Sequence, residues 1–134
     1  MSRFLALFLL RRTFGELRRL ESDIYYAPRF NGIGLTLGPI ILLSSKIIIE
    51  CSQPQICAVI AHERAHIILH SGLFRRFFSS NSDIRRQETE ADAYVKSLGL
   101  GHDFAAVLAQ YSSHFGPSLT HPSLQSRITF LCAK

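Results

Sequence analysis

The chain has 134 residues, 47 % of them hydrophobic and 19 % charged. That length fits one domain with a real core, and that balance excludes an intrinsically disordered chain. A formal charge of +5, carried mostly by arginine, suits contact with anionic surfaces. No aromatic-interleaved nucleic-acid-binding motif is present, so nucleic acid is not an expected partner and membrane ranks above it. Three cysteines, Cys51, Cys57 and Cys132, show no CxxC spacing. Without a disulfide framework they point to a reducing, cytoplasmic setting.

The chain opens MSRFLALFLLRRTFGELRRL. Its apolar run, residues 4–10, is about a third of a membrane-spanning length. Arg11 and Arg12 follow at once and no small-residue cleavage site appears, so a secretory leader is rejected. Residues 1–22 are expected to form an amphipathic helix with Leu7, Leu10, Phe14 and Leu17 on one face. That face packs on a core, or the helix lies on a membrane surface. Residues 23–134 are read as the rest of the same single domain.

Residues 24–26, 33–37 and 40–44 are β-branched or aromatic runs and predict short strands. Asn31-Gly32 and Gly38-Pro39 mark the turns between them. Ser52 suits an N-cap and Pro54 a first turn, so a helix is expected from there to about Ser71, with Gly72 as its stop. Cys57 falls inside this helix and is expected in the core. A basic and aromatic segment, 72–81, follows. Further helices are expected from Ser82 or Asp83 to near Gly99, over 103–115, and over 122–131. The fold class expected is α+β: a small antiparallel β-sheet packed on the helix over residues 52–71 and on further helices.

That central helix carries AHERAHIILH, residues 61–70. His62 and His66 are four apart, so their imidazoles share one face and can clamp one Zn2+ ion. Glu63 lies at the edge of that face, where it can take a proton from a water activated by the ion. Flanking Ala58, Val59, Ile60, Ile67, Ile68 and Leu69 are expected to bury the helix and dry the site. A catalytic zinc commonly has three protein ligands and one open position. His70 sits a further turn along, out of reach of a shared ion, and reads as a surface or supporting histidine. The third ligand is sought in RRQETEADAYVKSLG, where Glu88 and Asp92 are four apart. One can bind the ion while the other accepts the outer N–H of a ligand histidine. Glu90 lies about 200° round the wheel from Glu88 and is read as pointing elsewhere. The plain alternative is a solvated face with Glu88 and Asp92 paired to Arg85 or Lys96.

HERAH followed by ETEAD resembles the HExxH…ExxAD signature of gluzincin peptidases of the HtpX and CAAX-prenyl-endopeptidase type. THPSLQSRITFL, residues 120–131, is similar to the HP-x-x-x-x-R-I segment of that family. The resemblance covers roughly residue 26 onward and, lacking long transmembrane helices, looks more like the compact minigluzincins. It implies zinc ligands His62, His66 and Glu88, with Glu63 as general base and acid, and Asp92 behind a ligand. It also implies that His121 and Arg127 lie near the active site, where a donor is needed opposite the developing oxyanion. The alternative is that His121 caps the last helix and Arg127 pairs with a carboxylate such as Asp92.

The function expected is a zinc-dependent endopeptidase acting on extended or unfolded polypeptides, active or latent in isolation. The expected substrate-binding edge is the strand at 33–37, through Gly34, Leu35 and Thr36, because a glycine lets a second backbone approach. HERAHIILH also resembles the HELGHxxLH segment of ImmA/IrrE-like peptidases, which cleave repressors. A zinc-stabilised, non-catalytic binding domain and a membrane-surface adaptor acting through the first helix and FRRFF are the remaining alternatives.

Overall fold

The computed structural model describes residues 1–70, 80–114 and 122–134. A first helix, α1 (Arg3–Phe14), starts at Ser2, whose hydroxyl accepts the amide of Leu5, and ends at Gly15 with φ 76°. Four strands follow: β1 (Arg18–Glu21), β2 (Ile24–Ala27), β3 (Gly34–Leu37) and β4 (Ile40–Ser44). Then come α2 (Ser45–Glu50), α3 (Gln53–His70), α4 (Asn81–Ser97), α5 (Gly101–Gln110), a single 3-10 turn (Ser112–His114) and α6 (Leu124–Cys132).

The fold is α+β, a four-stranded sheet in the order β1-β2-β4-β3 packed against several helices. The sheet is mixed, which corrects the expected antiparallel arrangement: β2 and β4 run parallel, and the β1/β2 and β3/β4 pairs are antiparallel. The physical reason lies in β4. All five of its residues are buried, so it needs partners on both sides and takes the centre, inserting between β2 and β3. β1 is exposed throughout and forms one edge. It replaces the last part of the helix expected over 1–22, and Gly15 is what divides the two.

Each face of the sheet has its own cluster. Ala6, Leu7 and Leu10 of α1 pack on Tyr25, Ala27, Leu37, Ile40 and Leu42. The opposite face, with Ile24, Ile41 and Leu43, packs on Ala58, Val59 and Ala61 of α3 and on residues of α4, α5 and α6. α3 therefore lies against the sheet as the central helix. Its start is a capping box: Ser52 Oγ accepts the Gln55 amide at 3.4 Å, and Gln55 Oε1 accepts the Ser52 amide at 2.9 Å. Cys57, expected inside, is exposed on this helix. Ile68 and Leu69 are also exposed, at 58 % and 45 %, so the drying role falls to Ala58, Val59, Ala61 and Ala65.

α2 occupies the isoleucine run 47–49, where the sequence gives a β-branched signal. Ser44 overrides that signal by capping the helix, its hydroxyl accepting the Ile47 amide at 3.2 Å. α5 begins earlier than the expected 103–115, and ends at Gln110.

Candidate metal centre

α3 sends His62, Glu63 and His66 from one side, and α4 sends Glu88 and Asp92 from the facing side. All five are buried. His62 Nε2 lies 3.2 Å from Glu88 Oε2, and His66 Nε2 lies 3.1 Å from Glu88 Oε1. The two Nε2 atoms are 3.3 Å apart. Bonds of about 2.0–2.1 Å around a tetrahedral zinc set ligand atoms about 3.3–3.4 Å from one another. The observed spacing matches that figure, so His62, His66 and Glu88 form a group that could hold a metal ion.

The electrostatics favour a cation at the same point. Burial disfavours charge on His62, but the carboxylates of Asp92, Glu88 and Glu63 outweigh it and raise the imidazole up to about 9. A field that holds a proton so firmly also attracts a metal ion. Burial likewise works against an ionised Glu88, yet His62 and His66 beside it hold its carboxyl well below the usual value. Glu88 is thus an anionic donor in a dry place.

Asp92 stands behind His62. Its Oδ1 is 3.1 Å from His62 Nδ1, within ion-pair distance, although the contact falls short of hydrogen-bond geometry. Arg127 of α6 donates to Asp92 through Nε at 2.8 Å and through Nη2 at 2.9 Å. Against the burial that would raise it, Arg127 first and His62 second hold the Asp92 carboxyl below its usual value. Arg127 is therefore placed as the partner of Asp92, the alternative left open by the sequence. His121 lies outside the described residues, as does most of the segment 72–81.

Comparison with family models, curated proteins and solved structures finds no match to the chain. The geometry alone carries the reading of the site.

Glu63 is held by the neighbouring edge strand. Thr36 Oγ1 donates to Glu63 Oε2 at 2.7 Å and lies 3.1 Å from the Glu63 carbonyl oxygen. Gly34 gives the side chain its room, because a Cβ there would sit 2.9 Å from both Cγ and Oε1 of Glu63. The Thr36 side chain and the open Cβ position of Gly34 thus face Glu63, not a free surface. Leu35 points to the other face of the sheet, against the α1 cluster.

The backbone of β3 does face outward. The turn Gly38-Pro39, with φ 56° at glycine, closes the hairpin between Leu37 and Ile40. Leu37 and Ile40 form the closely bonded pair, and Ser44 N donates to Ile33 O at 3.4 Å in the same parity. The main-chain groups of Gly34 and Thr36 then point away from β4. Among the described residues that edge is unpaired, and β3 ends the sheet.

Three further residues surround the donors, of which the sequence pointed only to His70, as a surface or supporting histidine. Phe104 of α5 packs its ring on His62, with centroids 4.8 Å apart. His70 is buried, with Nδ1 3.1 Å from His66 Nδ1 and Nε2 2.8 Å from Glu90 Oε2. Burial, ahead of the opposing pull of Glu90, moves His70 below its ordinary value. Glu90 does point away from the Glu88 face, as the wheel angle requires, but it reaches the site through His70. No spacing rule flags such a contact. The signal was the third histidine itself, on the face of His66.

Proposed function

We propose that the protein is a zinc-dependent endopeptidase of the gluzincin type, in which His62, His66 and Glu88 hold one Zn2+ ion. The carrying observation is the set of three buried donor atoms at zinc-like spacing, with a fourth buried group, Glu63, beside them and, among the described residues, the unpaired edge of β3 alongside. When bound, zinc supplies Lewis acidity toward a carbonyl and lowers the pKa of a water.

The residues of the chain supply the rest. An extended peptide pairs with the outward main-chain groups of Gly34 and Thr36, which sets its scissile bond beside Glu63. Glu63 takes a proton from the attacking water and delivers it to the leaving amine nitrogen. Thr36 keeps the carboxylate aimed during both transfers. Asp92 orients His62, and Arg127 keeps Asp92 ionised and in place. Phe104 and the apolar residues of α3 keep bulk water from the rear of the site. An edge-strand site of this kind takes unfolded segments or peptides, not compact proteins.

Contact with an anionic membrane surface belongs to the same proposal. Phe4 and Phe8 stand 86 % and 57 % exposed on the side of α1 away from the sheet. Arg11 and Arg12 flank them on the same helix. Among the described residues, no helix is long and apolar enough to cross a membrane.

The decisive comparison is wild type against Glu63→Gln, assayed on an unfolded protein substrate. Both should retain zinc, and turnover should fall about 10²–10⁴-fold in the variant. Zinc in wild type without any turnover would favour the zinc-stabilised binding domain or a latent form. Equal turnover in both proteins would remove Glu63 from the chemistry.

A further inference from the structure

The two histidine ligands are backed in different ways. His62 meets its carboxylate directly, at Asp92. Among the described residues, His66 has no carboxylate at its outer nitrogen. Its Nδ1 meets the Nδ1 of His70 at 3.1 Å. His70 then meets Glu90 Oε2 at 2.8 Å through Nε2. Arg86 donates to the other oxygen of Glu90 at 3.0 Å, one helical turn back along α4.

Only one arrangement of protons satisfies every nitrogen while leaving His66 able to ligate. His66 presents Nε2 to Glu88 and to His62, so Nε2 must carry the lone pair and Nδ1 the proton. That proton needs an acceptor, and His70 Nδ1 is in place. An imidazole that accepts at Nδ1 carries its own proton at Nε2, where Glu90 accepts it. Run in reverse, the chain puts an N–H on His66 Nε2, pointing into the space between the ligand atoms.

We propose that His70, Glu90 and Arg86 form a positioning relay that fixes the tautomer and ring orientation of His66, as Asp92 does for His62. His70 is a positioning residue and touches neither metal nor substrate. The relay rests on the reading of His62, His66 and Glu88 as ligands. It adds that α4 braces both histidines: Asp92 reaches inward and Glu90 reaches round through a residue of α3. It also gives a reason for a buried histidine, 5 % exposed, on a helix that would pack more simply with an aliphatic residue there.

The test is zinc affinity of the full chain, measured by competition with a chromogenic chelator. Wild type, His70→Leu, His70→Asn and Glu90→Gln are compared. Loss of an outer partner of a ligand weakens metal binding about 10–100-fold, and that is the loss expected for His70→Leu. Asparagine places an amide oxygen near the position of Nδ1, so His70→Asn should recover most of the affinity, which a purely packing role would not predict. Glu90→Gln, at a partly exposed position, should weaken binding in the same direction but less. Proton-detected nitrogen NMR of zinc-loaded wild type should show His66 protonated at Nδ1 and His70 at Nε2. Equal affinity in wild type and His70→Leu, or a proton on Nδ1 of His70, would overturn the relay. Failure of wild type to bind zinc would instead overturn the ligand reading beneath it.

Discussion

Glu63 is confined from two directions by β3: Thr36 donates to its carboxylate, and Gly34 leaves the space that the carboxylate fills. A methyl group at 34 would meet Cγ and Oε1 of Glu63 at 2.9 Å, closer than real Cβ contacts come. The side chain must then turn, because the methyl belongs to a strand paired along β4. Gly34→Ala should therefore lower kcat while leaving zinc content and the unfolding midpoint close to wild type. Comparing kcat, bound zinc and thermal midpoint for the two proteins checks this. An unchanged kcat would show that Glu63 is not aimed from Gly34. At this scale the sequence was informative about HERAH, because i and i+4 spacing on a helix is a local rule. It placed Gly34 and Thr36 on a strand, and that strand ends the sheet. It was silent on their contact with Glu63, because which face of a strand meets a helix is settled only by packing.

Among the elements, α4 is the one whose position decides the site. It brings Glu88 between the two histidines, Asp92 behind His62 and Glu90 behind His70. α6 secures it through the two-pronged contact of Arg127 with Asp92 at 2.8 and 2.9 Å. Both partners are buried, so removing the cation strands a carboxylate away from water. Arg127→Leu should cost about 3–5 kcal/mol of stability, seen as a lowered urea midpoint. A midpoint equal to that of wild type would mean the pair contributes nothing net. The facing of α3 and α4 was legible from ETEAD once HERAH was in view. The tie to α6 appeared only as an alternative, because pairing of residues 35 apart in sequence leaves no periodic trace. β1 was hidden for a related reason. RRLE has no alternation of buried and exposed positions, and its one clear signal was Gly15 upstream.

At the scale of the whole molecule, the sheet separates two packed layers with different duties. α1 covers one face and leaves Phe4 and Phe8 outward. The other face supports α3, and through it the donor cluster, with Phe104 and Arg127 closing the rear. The order β1-β2-β4-β3 puts the most buried strand at the centre and leaves β3 as an edge beside Glu63. The α+β class was readable from composition and punctuation along the chain. Strand order was not, since parallel pairing of β2 with β4 depends on what β4 needs on both sides. On the proposed function, this arrangement holds one metal ion through His62, His66 and Glu88. Zinc content of the purified full chain, measured by elemental analysis after dialysis, tests it most directly against Glu88→Leu. Wild type should carry close to one zinc per chain, and the variant should lose most of it. Wild type without zinc, or equal zinc in both, would contradict it.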